Sequence, residues 1–308
     1  MQPSKFATGL LFVLLAVLAW GAQFPVAKSA FFAVDPYHVS AIRYAVATLL
    51  LVPVVAAIEG PAALRYYGRG RQASALGVIG MAGSPLLVFA GLGLTRAEHA
   101  AIIVSLQPSM TAIADWGLRG RRPARFTLGC IATAFAGVVL VVTRGQLAPG
   151  LSAREIAGDL LVLVGAACWV VYTMGTARFS GWSALKLTVL TLIPGTLGLV
   201  AGTALLVALG VAHVPGPAAV AAVAPQLTFL ALAGVAAAML LWNAGTQRIG
   251  ALNAMLMQNL MPVVVFAIQF GQGQRFERAE LAGAALVIGS LIANNLYLRA
   301  KLRAQPPG

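Results

Sequence analysis

The stretch LGVIGMAGSPLLVFAG, residues 76–91, recurs 154 residues later as LALAGVAAAMLLWNAG, residues 230–245. The correspondence needs no gap, and it continues beyond these stretches to Pro108 and Pro262. The chain that carries it is strongly apolar, with 60% hydrophobic residues. Repeated halves in such a chain are typical of secondary transporters, in which one repeat moves against the other around a central site.

The composition indicates a membrane protein and excludes a typical soluble one. A soluble domain has about 25% charged residues, whereas this chain has 9%. The formal net charge of +13 could suggest a nucleic-acid partner. The lysines and arginines, however, form short clusters between apolar segments and do not form one continuous basic face. We therefore expect membrane lipids around the chain and no nucleic acid.

Ten apolar segments are each close to the length that crosses a bilayer as an α-helix. They cover approximately residues 8–31, 38–58, 74–94, 98–117, 126–143, 157–177, 184–209, 226–246, 251–270 and 280–298. This pattern predicts an all-α integral membrane protein with ten transmembrane helices. The repeat contains five of them, and an odd number of crossings makes the second copy enter from the opposite side. The two five-helix repeats are therefore predicted to be inverted.

The predicted boundaries follow from these segments. The first repeat covers residues 1–143 and the second covers residues 157–299. An outer linker, residues 144–156, joins them, and residues 300–308 are expected to form a disordered cytoplasmic tail.

The distribution of basic residues predicts the orientation. The side of the N-terminus has 14 lysines and arginines, namely Lys5, Arg65, Arg69, Arg71, Arg119, Arg121, Arg122, Arg125, Arg178, Lys186, Arg248, Arg299, Lys301 and Arg303. The other side has six, namely Lys28, Arg96, Arg144, Arg154, Arg275 and Arg278. Because basic loops stay in the cytoplasm, the excess places both termini there.

The first helix of each repeat carries a tryptophan near the middle of the membrane. Trp20 and Gln23 lie one turn apart in the first helix, as Trp169 and Tyr172 do in the sixth. Polar groups inside a membrane are costly, so they face a cavity or another helix. One interpretation is a cavity wall that offers a solute aromatic contact and a hydrogen bond. The alternative is packing between helices.

Two equivalent helices contain a proline three residues after a polar side chain. Ser105 precedes Pro108, and Asn259 precedes Pro262. Proline leaves a carbonyl one turn earlier without its donor, and inside a membrane that carbonyl needs a partner or a wet cavity. Ser105 and Asn259 are therefore candidates for substrate-facing kinks. Structural kinks, in which each side chain bonds its own helix, are an equal alternative. Pro25 in the first helix is a third candidate kink.

Three other side chains are candidates for substrate binding: Ser84 in the third segment and Trp242 and Asn243 in the eighth. Arg43, inside the second segment, could pair with an anionic group of a substrate. It could equally extend to the membrane surface.

No motif of an enzyme, a cofactor site or a metal site is present in the sequence. It has no Walker motif, no Gly-x-Ser-x-Gly and no His-Glu-x-x-His. We expect no catalytic residue, no cofactor and no metal. Glu98 and His99 are expected at the outer surface, where the fourth helix begins. Proton coupling through a carboxylate at the membrane centre therefore has little support.

The stretch AWGAQFPVAK, residues 19–28, resembles the Trp-Gly-x-x-Phe-x-x-x-Lys pattern of the EamA-type proteins of the drug/metabolite transporter superfamily. Two further patterns resemble the same family: Pro36 with Arg43 and Tyr44, and Pro108 with Trp116 and Gly120. The likeness extends over essentially the whole chain.

The resemblance implies export of a small-molecule substrate from a bacterial cell across the inner membrane, by alternating access around a central cavity. The chain is also similar to the group that exports aromatic amino acids, which would make Trp20, Trp169, Tyr172 and Trp242 wall residues. Amino acids, aromatic ones included, are thus the expected substrates, and a monomer is the expected state. Export of toxic cations or drugs is an alternative, although few carboxylates are available to bind a cation. A passive channel is the other, but it does not require inverted halves.

Overall fold

The computed structural model describes residues 3–120, 122–146, 152–250, 254 and 257–303, and these residues form helices without any β-strand. The described helices are α1 (Pro3–Ala30), α2 (Pro36–Glu59), α3 (Gly70–Leu94), α4 (Ala97–Val104), α5 (Gln107–Arg119), α6 (Arg125–Thr143), α7 (Ala153–Thr176), α8 (Ala184–Ala208), α9 (Pro217–Ala222), α10 (Ala224–Ile249), α11 (Leu260–Gly271) and α12 (Arg278–Arg303). The prediction of an all-α protein is confirmed.

Seven of these helices are long and apolar enough to cross a membrane: α1, α2, α3, α6, α7, α8 and α10. Among the described helices α1 is central, because it contacts α2, α3, α4, α10 and α11. Short connections with ordinary capping signals set the ends of the long helices. Asp35 accepts hydrogen bonds from the backbone amides of Tyr37 and His38, both at 2.9 Å, and so begins α2. Ser152 and Glu155 form a capping box that begins α7.

The predicted segment 98–117 is divided into α4 and α5, with a turn at Ser105 and Leu106 between them. Pro108 is the second residue of α5, where a helix does not use the missing amide hydrogen. In the predicted segment 251–270, α11 begins at Leu260, and residues 251–253, 255 and 256 lie outside the described residues.

Two predicted boundaries differ from the structure. Residues 153–156, predicted as linker, belong to α7, because its capping box lies at Ser152. Residues 300–303, predicted as disordered tail, belong to α12, whose last residues are basic and so favour a helix C-terminus. The rest of these predictions, for residues 147–151 and 304–308, lies outside the described residues, as does Arg121.

Glycines allow pairs of helices to approach closely. A Cβ on Gly91 of α3 would lie 2.4 Å from the carbonyl oxygen of Gly158 in α7. A Cβ on Gly245 of α10 would lie 2.9 Å from the carbonyl oxygen of Gly9 in α1. No larger residue fits at such a separation, so these glycines set the spacing of the pairs α3–α7 and α1–α10.

The pair α6–α12 is built in the same manner and is reciprocal. A Cβ on Gly137 would lie 2.7 Å from the carbonyl oxygen of Gly283, and a Cβ on Gly283 would lie 2.6 Å from that of Gly137. Each glycine also faces a valine of the other helix, Val287 and Val141 respectively.

Helices α3 and α10 each contain a π-helical segment, at Gly77–Gly83 and Leu232–Ala237. The shift of 154 residues maps the first onto residues 231–237, so the two segments occupy equivalent places. π-Helical segments are rare in proteins, and those that occur often lie at functional sites.

Candidate substrate-binding cavity

A cavity of about 530 Å³, counting the open space at its mouth, lies among the described helices. Residues of α1, α2, α3, α4, α5, α7, α10 and α11 line it, so both halves of the chain contribute. Four of the predicted site residues line it: Trp20, Gln23, Ser84 and Trp169.

Three tryptophans from three helices form the aromatic part of the site. The ring of Trp20 stands edge-on to that of Trp169, with centroids 5.5 Å apart, and lies 5.1 Å from that of Trp242. Trp169 also contacts Tyr172, at 5.0 Å between centroids. These separations are in the favourable range for aromatic pairs. Trp242 and Tyr172 are buried and do not line the cavity; they pack against the two tryptophans that do.

The π-helical segments contact this aromatic group. The Nε1–H of Trp20 donates to the carbonyl oxygen of Gly234, at 3.0 Å. On the other side, Gly80 packs so tightly on Tyr172 that a Cβ would lie 2.3 Å from the Cβ of that tyrosine. Each π-helical segment therefore contacts the first helix of the opposite half.

Arg43 of α2 also lines the cavity, and only 3% of it is exposed. Its Nη1 donates to Oε1 of Gln23 at 2.7 Å, and its Cζ lies 3.7 Å from the ring centroid of Phe89. Its Nε has no hydrogen-bond partner in the described part of the chain. The alternative in which Arg43 extends to the membrane surface is wrong, because neighbouring helices enclose the side chain. The sequence signal for Arg43 is a basic residue inside an apolar segment.

Two glutamines of the lining were not selected from the sequence. Gln107 and Gln258 are buried and line the cavity. Nε2 of Gln107 donates to the carbonyl oxygen of Ala166 at 3.5 Å, while its Oε1 has no partner within the described ranges. Gln107 directly precedes Pro108, and Gln258 directly precedes Asn259. Their positions beside the predicted kinks are the sequence signal that could have identified them.

The remaining predicted residues lie outside the lining. Oγ of Ser105 donates to the carbonyl oxygen of Ile102, three residues earlier, at 2.7 Å. This local hydrogen bond is the one expected for a structural kink. Nδ2 of Asn243 donates to Oγ1 of Thr188 on α8, at 2.7 Å. Asn259 is buried, and neither polar atom of its side chain has a partner among the residues described. Pro25 lies inside α1, and Pro262 is the third residue of α11.

A second polar group, here named the terminal polar cluster, lies about 12 Å along α1 from Trp20, at about 1.5 Å per residue. Its members are Lys28, Thr95, Arg96, Glu98, His99, Arg144, Asp159, Gln274 and Glu280. Glu98 is 0% and His99 is 1% exposed. The prediction that these two lie at the surface is wrong, because residues of the second half cover the start of α4.

The bonds of the terminal polar cluster connect the two halves. Lys28 Nζ donates to the carbonyl oxygens of Leu92 and Thr95, at 2.6 and 2.5 Å. Thr95 Oγ1 donates to Oδ1 of Asp159 at 2.6 Å. Arg96 pairs with Glu98 and, at 2.5 Å, with Glu280, while Gln274 donates to Glu98 at 3.0 Å. This end of the bundle is therefore closed by a paired network around the buried side chains of Glu98, His99 and Glu280.

The profile of the EamA-like transporter family matches both halves separately, at residues 7–143 and 156–296. The chain belongs to the EamA-like transporter family. Two relatives from Bacillus subtilis (strain 168) are described as uncharacterized transporters: YrdR, 32% identical over 303 residues (97% of this chain and 94% of the relative), and YyaM, 31% identical over 280 residues (90% of each). An uncharacterized transporter of Archaeoglobus fulgidus is 31% identical over 195 residues, 62% of this chain and 65% of that protein.

A solved crystal structure of 20% sequence identity has the same fold as this EamA-like chain, with a TM-score of 0.70 over 97% of this chain and 99% of the other. Family membership and the apolar helices together identify a multi-pass membrane transporter, and they indicate a transporter and not an enzyme.

Proposed function

We propose that this transporter exports amino acids, aromatic ones included, or similar amphiphilic metabolites across a bacterial inner membrane by alternating access. The observation that carries the proposal is the central cavity, which is lined from both halves by tryptophan rings and by a few buried polar groups. Such a lining suits a molecule with an apolar body and a polar end. The protein works as a monomer without a cofactor.

Ten transmembrane helices in two inverted repeats, residues 1–143 and 157–299, are part of this proposal. The contacts of the two halves support it, because the approach of Gly91 to Gly158 recurs as that of Gly245 to Gly9. The equivalent π-helical segments support it as well. The segment between Thr143 and Ala153 connects the repeats on the outer side, and both termini lie in the cytoplasm, as the excess of Lys and Arg on that side favours.

Two features weigh against the alternatives. A toxic-cation exporter would need an anionic site, whereas the described lining residues include Arg43 and neither Asp nor Glu. A passive channel would need a continuous path, whereas the terminal polar cluster pairs Arg96 with the buried carboxylates of Glu98 and Glu280 across the two halves.

Counterflow into proteoliposomes tests the proposal. Vesicles loaded with one unlabelled amino acid should take up the same labelled amino acid transiently and saturably, and the assay is repeated with and without a pH gradient. Flux that does not saturate and shows no counterflow would identify a channel. Transport of ethidium without transport of any amino acid would identify a cation exporter.

Substitution of the tryptophans that line the cavity tests whether they contact the substrate. Trp20→Ala or Trp169→Ala should lower the apparent affinity for an aromatic amino acid roughly two- to tenfold, because one aromatic contact is lost. Trp116→Ala is the matched control, since this tryptophan is 40% exposed and lies outside the lining. Unchanged affinity in both cavity variants would remove the aromatic wall from the proposal.

A further inference from the structure

Among its described lining residues, the cavity contains one permanent cation and no counter-charge. Arg43 is the one charged residue among the described residues that line the cavity, and none of these residues has a carboxylate. No carboxylate of the described residues forms an ion pair with Arg43. A guanidinium that neighbouring helices enclose is normally paired, because a buried charge without a partner is costly.

The protein itself satisfies this guanidinium only in part. Gln23 accepts one hydrogen bond through a neutral oxygen, and the ring face of Phe89 lies below the guanidinium. Both contacts help to hold a cation and to fix its orientation. Neither neutralises the charge, and Nε–H has no partner within the described residues. The missing anion must therefore come from the occupant of the cavity.

We propose that Arg43 is the anchor for a carboxylate of the transported molecule, so that the substrates are small organic acid anions with an apolar or aromatic body. The inference rests on the proposed function and narrows its substrate class: the carboxylate is required, and an ammonium group is dispensable. A guanidinium fork matches a carboxylate in geometry and forms strong charge-assisted hydrogen bonds. Trp20 and Trp169, in the same lining, contact the body of the substrate.

The lining also accounts for how an amino acid would fit. Its ammonium group finds neutral acceptors only, such as the unpartnered Oε1 of Gln107. A zwitterion is therefore accepted through its carboxylate. An amine that lacks the carboxylate brings a second positive charge next to Arg43 and is rejected.

Three probes that share a phenylethyl body separate the two charges: 3-phenylpropionate, phenylalanine and phenethylamine. Their binding to the purified full chain in detergent is measured by the change in tryptophan fluorescence and by the shift in the unfolding midpoint. We expect 3-phenylpropionate and phenylalanine to bind, and phenethylamine to bind at least tenfold more weakly. Equal or tighter binding of phenethylamine would overturn the inference, whatever the variants show.

Variants then test the residue. Arg43→Gln should weaken the binding of 3-phenylpropionate about tenfold or more, because a charge-assisted hydrogen bond is lost. Gln23→Glu keeps Arg43 but supplies a carboxylate beside it, and should weaken the same ligand. Arg65→Gln removes an exposed cation outside the cavity and should leave binding unchanged. Full affinity in a well-folded Arg43→Gln protein would contradict the anchor.

The outcomes distinguish this inference from the proposed function. Counterflow of all three probes without preference for a carboxylate would leave the carrier in place and remove the anchor. Absence of binding and of counterflow for every probe and every amino acid would contradict the proposed function, and the inference with it. If Arg43→Gln does not yield a monodisperse protein, the comparison of 3-phenylpropionate with phenethylamine on the unmodified chain gives the decision.

Discussion

Trp20 and Trp169, which are 149 residues apart in the sequence, contact each other edge to face with their ring centroids 5.5 Å apart. Each lies in the first helix of its half and is followed three residues later by a polar side chain, Gln23 or Tyr172. In the proposed inverted arrangement, residues at corresponding places in the first helices of the two repeats can touch only near the axis that relates the repeats. The proposed inverted arrangement thus puts the aromatic wall of the cavity at the centre of the molecule.

Replacement of Trp20 by phenylalanine should destabilise the protein by about 1–3 kcal/mol, because the carbonyl oxygen of Gly234 loses a buried donor. Phenylalanine retains one aromatic ring, so the change removes the hydrogen bond together with the second ring of the indole. The measurement is the midpoint of thermal unfolding in detergent. Trp116→Phe, at an exposed position, should stay within about 0.5 kcal/mol. Equal midpoints for the two variants would show that the Nε1–H of Trp20 has no stabilising role.

Replacement of Gly91 by alanine should destabilise the packing of α3 on α7 by about 1–3 kcal/mol, because the new Cβ meets the backbone of Gly158. The fraction that remains monodisperse on size-exclusion chromatography after heating reports the effect. Gly129→Ala is the matched control, since no atom lies within 4 Å of its Cβ position and alanine favours a helix. Equal heat resistance of Gly91→Ala and Gly129→Ala would contradict the close approach of α3 to α7.

Replacement of Glu280 by glutamine should destabilise the terminal polar cluster by about 3 kcal/mol, near the lower end for a broken buried ion pair. Arg96 would keep Glu98 as its partner, and Arg144 would lose a carboxylate 3.7 Å away. Glu277→Gln, on an exposed side chain three residues earlier, should change the unfolding midpoint little. A small and equal effect of both changes would contradict the assigned pairing.

A reporter fused to the C-terminus should be active only in its cytoplasmic form, because the proposed ten crossings return the chain to the side of the N-terminus. Truncation after Gly216, in the connection between α8 and α9, places the same reporter on the other side and serves as the control. The paired activities of a cytoplasmic and a periplasmic reporter measure both. Periplasmic activity at the C-terminus would contradict the proposed orientation.

The sequence predicts the helices and part of the cavity, because both depend on local patterns. Apolar length identifies the long helices. The spacing of three residues from Trp20 to Gln23 places both on one helix face, and both line the cavity. The same spacing cannot separate the lining from the layer behind it. Tyr172 therefore fits the pattern as well as Trp169, although it packs outside the cavity.

The sequence does not predict which side chains are buried by parts of the chain that are distant in sequence. Arg43 and Glu98 are the two examples. The position of Arg43 along its helix is compatible with both the surface and the interior, and only the packing of α1 and α3 against α2 decides. Glu98 begins a helix, which usually means exposure. It is covered because Gln274, from far along the chain, approaches it.

The two ends of the bundle are held together by contacts of unequal strength. At one end stands the terminal polar cluster; at the other, exposed Ser183 donates to Glu59, and Tyr66 donates to the carbonyl oxygen of Leu190. Charged hydrogen bonds that are buried cost more to break than exposed ones. If the protein alternates between two access states as proposed, the empty carrier should therefore rest mostly with the cluster closed. Every 1.4 kcal/mol taken from the cluster would change the ratio of the two access states about tenfold. These charges, far from the substrate, would thus decide which side of the membrane the unloaded protein faces.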